Sequence, residues 1–170
     1  MRNYRYFENA EENAYFTDTP CSFCKSEQFC LDGVFFKNFD GIESICLDCF
    51  DEKKISVKIP DYIKAKISSD IDNKADILQF NPPVPWIQDN DWPVCCDDFM
   101  IYIGEWEQDD FNKHSDHNNG IELLKKLIDP EISSRVDSFE VLWDQLGDWA
   151  AAFTFRCPHC GKKIVIIQDY

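Results

Sequence analysis

Apolar positions along the chain follow two periods. Ile63, Ile67 and Ile71, followed by Ile77, Leu78 and Phe80, recur at roughly helical spacing, so residues 60–80 are predicted to be helical in part. Asn81-Pro-Pro-Val-Pro85 stops that pattern, because proline lacks a donor and restricts the residue before it. Ile121, Leu124, Leu127 and Ile128 form the stripe of an amphipathic helix from Gly120 to Ile128. A further helix is predicted from Asp137, where Asp-Ser-Phe-Glu140 has the form of a capping box, and Phe139, Leu142, Trp143, Leu146 and Trp149 supply its apolar stripe. Another short helix is expected just after Cys46. Strands are expected at Phe99–Ile103, ended by Gly104, and at Ala152–Arg156 and Lys163–Gln168. Phe29–Phe39 alternates loosely and reads as a hairpin, and residues 1–20 read as an irregular, aromatic-bearing arm. The pattern predicts an α+β fold.

Cysteine spacing adds the strongest chemical signal. Three pairs have the form C-x2-C: Cys21/Cys24, Cys46/Cys49 and Cys157/Cys160. That spacing lets a tight turn aim two sulfurs at one ion, and two such turns complete a tetrahedral site. The first two pairs are separated by 21 intervening residues, near the spacing of four-cysteine zinc sites, and are read as one zinc site. The third pair lies in Cys157-Pro-His-Cys-Gly-Lys162 between two predicted strands, the pattern of a zinc-ribbon hairpin. Cys95 and Cys96 are the expected partners of Cys157 and Cys160, with Asp98 or His159 as the alternative fourth ligand. Cys30 is read as a small core residue. The expected architecture is therefore a small zinc-stabilised domain over 1–170, with four-cysteine knuckle sites, a zinc-ribbon-like C-terminal hairpin and a few packed helices. Its first zinc lobe is expected at 21–58, and its second, with helices and ribbon, at 81–170.

Charge narrows the partners. The 170 residues hold 17 Lys+Arg against 32 Asp+Glu, a net charge of −15. Such a chain lacks the cations that displace counterions from nucleic acid, and an anionic membrane repels it. The longest apolar runs, Phe99–Ile103 and Trp149–Phe153, are five residues each, far short of a membrane span. Met1–Ala10 has no apolar segment of the kind a signal peptide needs, so a cytoplasmic location is expected. In that reducing compartment the cysteines are metal ligands rather than disulfides. Between Lys74 and Lys113 there are nine acids and no Lys or Arg. Trp86 and Trp92 adjoin prolines and are read as packing residues, whereas Trp106, with Glu105, Glu107, Asp109 and Asp110, is read as a contact set for a basic protein.

Enzyme motifs are mostly missing. There is no H-E-x-x-H, P-loop, G-x-G-x-x-G or G-x-S-x-G. Pro20-Cys-Ser-Phe-Cys24 matches half of a zinc deaminase motif, but no histidine precedes His114 to complete it. His114-Ser-Asp-His117 is the remaining candidate, favoured as a solvated loop and kept as the alternative site of a metal-dependent hydrolase.

The chain resembles the bacterial CbrC family, a group named for a colicin-tolerance protein. The resemblance rests on Tyr6-Phe7, on Cys21-x2-Cys24 with Cys46-x2-Cys49, and on Asn81-Pro with Gln88 and Trp92. It continues through Cys95-Cys96-x-Asp98, Gly104 and Phe155-Arg-Cys-x-His-Cys-Gly-Lys162. The family pattern carries His-Cys where this chain has Cys95-Cys96. The resemblance implies a cytoplasmic bacterial protein linked with tolerance of a nuclease colicin, and no enzymatic activity. Together with the charge, it leads to an expectation of a non-enzymatic immunity protein that binds a basic nuclease toxin domain. A zinc-ribbon adaptor in stress response is the other alternative.

Overall fold

The computed structural model describes residues 1–36, 39–68 and 72–170. In chain order the elements are α1 (Ala10–Asn13), β1 (Cys30–Asp32), β2 (Ser44–Cys46), α2 (Leu47–Asp51), α3 (Asp61–Lys64), α4 (Lys74–Leu78), β3 (Val94–Cys95), β4 (Asp98–Phe99), β5 (Ile101–Glu105), α5 (Gln108–His114), α6 (Gly120–Leu127), α7 (Pro130–Ser133), α8 (Phe139–Gln145), β6 (Ala150–Arg156) and β7 (Lys163–Asp169). The fold is mixed helix and sheet, with antiparallel hairpins. Ile71 of the helical pattern and part of the Phe29–Phe39 hairpin lie outside the described residues.

A three-stranded antiparallel sheet, in the order β5-β6-β7, holds the middle of the molecule. Its central strand β6 is buried from Ala150 to Phe155, because both faces of the sheet are covered. Alternate side chains therefore enter two cores. Ala151, Phe153 and Phe155 of β6 and Ile166 of β7 face one core, with Tyr102 of β5 and residues of the arm and the first cysteine lobe. Ala150, Ala152 and Val165 face the other core, which is closed by Phe111 of α5, Leu124 of α6 and Leu142 of α8. A strand buried on both sides reads as a continuous apolar run rather than an alternation, as Ala150–Phe153 does.

Tertiary contacts revise several predicted elements. The arm is core: Tyr6 and Phe7 are fully buried. It runs beside β5, where the Tyr102 amide donates to the Tyr6 carbonyl and the Glu8 amide to the Tyr102 carbonyl. Gly104 does not end β5. The strand passes through it with a register shift, and its φ of +120° and its approach to the Asn13 side chain suit glycine alone. The second predicted helix starts one residue later than its sequence signal: Ser138, not Asp137, is the N-cap, its Oγ accepting from the Val141 amide. That helix also stops at Gln145, so Trp149 leaves the apolar stripe and is 69% exposed. Gly147, at φ +87°, turns the chain there.

Where α5 meets α6 the backbones nearly touch. A Cβ on Gly120 would lie 2.5 Å from the Trp143 ring and 2.8 Å from the Asn112 backbone nitrogen. Gly120→Ala is therefore expected to destabilise the protein by about 1–3 kcal/mol, measured by urea unfolding. A loss below about 0.5 kcal/mol would show that this contact yields easily.

Candidate metal centres

The first centre is built by two turns of different kinds. Cys21 and Cys24 lie on a loop whose last residue, Lys25, adopts φ +65° while its amide donates to the Cys21 carbonyl at 2.9 Å. Cys46 ends β2 and caps α2, and Cys49 lies within the first turn of that helix. Pairing of β1 with β2, together with a hydrogen bond from Ser44 Oγ to the Pro20 carbonyl, brings the two turns face to face. The four sulfurs then lie within 4.8 Å of one another, with Cys24 and Cys46 at 3.5 Å.

The second centre repeats the loop geometry. Gly161, at φ +72°, donates its amide to the Cys157 carbonyl at 3.1 Å, as Lys25 does to Cys21. The amides of His159 and Cys160 point at Cys157 Sγ, at 3.4 and 3.5 Å. The adjacent pair Cys95-Cys96 is placed by a different device. Neighbours on a strand point to opposite faces. Here Cys96 and Asp97 form the two-residue turn of the β3–β4 hairpin, both at φ +54°, and this mirror-type turn swings Cys96 back beside Cys95. The sulfurs of Cys95, Cys96, Cys157 and Cys160 again lie within 4.8 Å of one another. Cys95 is 3.8 Å from Cys96 and 3.6 Å from Cys160.

These separations suit a metal ion. Four sulfurs about 2.3 Å from a tetrahedral zinc stand about 3.8 Å apart. The thiols are also prepared unequally. Burial opposes ionisation of Cys21, but amides around Cys24, Cys46 and Phe23 outweigh it and bring that thiol down to about 6. Cys157 reaches about 6 in the same way, through the amides of Cys160 and His159. Their neighbours go the other way: burial and the adjacent sulfurs push Cys95 up to about 12, and Cys46 is raised for the same reasons. One thiolate per group repels further ionisation, and a bound dication removes that penalty. The two four-cysteine groups thus suggest metal binding.

Residues around the second centre have other partners. Asp98 is buried and accepts from the Tyr6 hydroxyl at 2.8 Å, with His159 Nε2 at 3.0 Å from its other oxygen and Arg5 nearby. The alternative ligands Asp98 and His159 therefore meet each other and tie the arm to the knuckle. Cys30 is buried and bonds to the Ser26 carbonyl, outside both groups.

Of the expected contact set, Trp106 needs correction. It is 6% exposed, packed on Phe111 and stacked flat on His114 at 4.5 Å. A side chain so enclosed offers a partner almost no area. Asp110 serves the start of α5, accepting from the Glu107 amide at 3.1 Å, and Glu105 accepts from the Tyr170 hydroxyl. Glu107 and Asp109 remain exposed. The polar segment before His114 is the helix α5, whose first turn is closed by a capping box in which the Glu107 side chain also accepts from the Asp110 amide. His117 sits exposed in a 3-10 turn over Asp116–Asn118. Among the described residues, neither histidine belongs to a group that could hold a metal.

The family model of an uncharacterised protein family, UPF0167, matches residues 1–169. The chain belongs to UPF0167. No curated protein and no solved structure matches it. In this UPF0167 member, sequence reasoning missed the role of Gln168. Its buried side chain accepts from the amides of Ile87 and Gln88 and donates to the Asp89 carbonyl and the Asp91 carboxylate, fastening the 86–91 loop to β7. An uncharged amide directly after the apolar run Ile164–Ile167 is the available signal. No helix among the described residues is long and apolar enough to cross a membrane.

Proposed function

We propose that this protein is a non-enzymatic, acidic binding protein of the cytoplasm, held together by two structural zinc ions. The observation that carries the reading is the composition of the two centres. Four cysteine sulfurs on one zinc leave no position for water or substrate, which is the mark of a structural site. Zinc suits a closed tetrahedral group of four thiolates. Function then falls to the surface, whose net charge of −15 suits a basic protein. The resemblance to the CbrC family, carried by residues spread over nearly the whole chain, favours a role in tolerance of a nuclease toxin. Nuclease domains carry cations to hold their substrate, so an immunity protein of this charge complements them.

The test is association kinetics with a basic nuclease toxin domain. The association rate is expected to fall about tenfold or more as salt is raised from roughly 50 mM to roughly 500 mM. Charge reversal belongs at Asp109, and Glu107 is neutralised as Glu107→Gln, which keeps the side-chain acceptor at the start of α5; Glu105 and Asp110 are left intact because they hold the fold. An on-rate indifferent to salt overturns the electrostatic reading.

A further inference from the structure

Trp149 and Tyr170 are the largest side chains that the helical half of the molecule leaves in solvent, at 69% and 63% exposure. They are neighbours: the Tyr170 amide donates to the Trp149 carbonyl at 3.0 Å. Tyr15, 54% exposed, is close enough to Tyr170 for the two phenols to act on each other electrostatically. Acids surround these rings. The Tyr170 hydroxyl reaches Glu105 Oε1 at 3.1 Å. Glu107 lies against the turn before Trp149, where a Cβ on Gly147 would stand 3.0 Å from its carboxylate. Asp148 and Asp169 flank the two rings in sequence, and both are exposed. Among the described residues, none of Glu105, Glu107, Asp148 and Asp169 has a basic side chain in ion-pair range.

We propose that this aromatic surface, Trp149 and Tyr170 rimmed by Glu105, Glu107, Asp148 and Asp169, docks an arginine- and lysine-rich segment of a partner protein. Exposed tryptophan and tyrosine supply the flat area that dominates binding energy at interfaces. Their faces also attract guanidinium and ammonium groups, and the uncompensated carboxylates select cations over apolar segments. Burial is what mainly raises the Glu105 carboxyl above the usual range; the Tyr170 hydroxyl opposes that shift and repulsion by Glu107 adds a smaller part to it. The surface takes over the aromatic role that the sequence assigned to Trp106. The inference rests on the reading that the protein captures a basic partner, and locates where it does so.

The experiment titrates the zinc-loaded full chain into a labelled synthetic peptide of alternating arginine and glycine, followed by fluorescence anisotropy. Trp149→Ala/Tyr170→Phe and Trp149→Ala alone are compared with a charge control, Glu27→Gln/Asp61→Gln, which removes two acids, one between Cys24 and Cys30 and one from α3. Circular dichroism and zinc content verify folding of each variant. The expected result is about tenfold weaker peptide binding on loss of Trp149, and less than twofold for the control, a tenfold change being about 1.4 kcal/mol. Native-strength binding by the Trp149 variants, or equal weakening by the control, overturns this surface and leaves acidic capture standing. No salt-sensitive binding by the unaltered protein overturns both.

Discussion

Removal of metal by a strong chelator in reducing buffer is expected to abolish the cooperative thermal transition of this protein. Structural zinc sites in small domains contribute about 10–16 kcal/mol of apparent binding energy, against a typical net domain stability of about 5–15 kcal/mol. The effect is expected to spread beyond the loops. Cys21, Cys46, Cys49 and Cys157 belong to the same buried cluster as Tyr6, Phe99 and Phe155. Elemental analysis is expected to give two zinc ions per chain, and Cys21→Ser or Cys157→Ser to lose one each. Metal affinity is expected to decline as pH falls, because protons compete for the thiolates. An apo-protein melting within a few degrees of the loaded form would show that the cysteine groups are not what holds the fold.

The second large effect lies in the packing beside the second centre. Phe155→Ala is expected to cost about 3–5 kcal/mol in urea unfolding, with the slope of the transition unchanged. Phe155 is fully buried, two residues before Cys157. Its ring stacks on Trp86 at 5.8 Å and meets Trp92 and Tyr102 at 5.6 and 5.3 Å. Deleting it leaves a cavity that three large rings cannot collapse to fill. Trp149→Ala, by contrast, is expected to stay within about 0.5 kcal/mol, because most of that ring is already in water. The pair of results separates a tryptophan-rich core from a tryptophan-bearing surface. A loss below about 1 kcal/mol for Phe155→Ala would contradict the packing.

What could be read in advance was local. A C-x2-C turn needs only a few residues to aim its sulfurs, so the pairs Cys21/Cys24, Cys46/Cys49 and Cys157/Cys160 were visible as spacing alone. The stripe of α6 is legible from its helical period, and the ribbon strands β6 and β7 from the apolar runs on either side of Cys157 and Cys160. The prolines beside Trp86 and Trp92 mark both as packing residues, and both rings lie against Phe155. The helix α7 also carries a local signal in the sequence: Asp129 caps it and Pro130 begins it. The helix α5 was harder. Its polar run has one buried residue, Phe111, and its start is fixed by the contact between Glu107 and Asp110.

The sequence by itself determined the chemistry of this protein: which sulfurs pair, the sign of the charge and the mixture of elements. Only the tertiary structure decided which aromatics face inward. Trp106 lies between two acids and Trp149 ends an apolar helical stripe, yet the first is buried and the second exposed. The reason is geometric. Gly104 carries β5 on past a bulge so that Trp106 meets α5, while Gly147 breaks the chain after α8 and turns Trp149 outward. Periodicity counts positions along one element, and a residue beyond a bulge or a positive-φ glycine no longer follows that count.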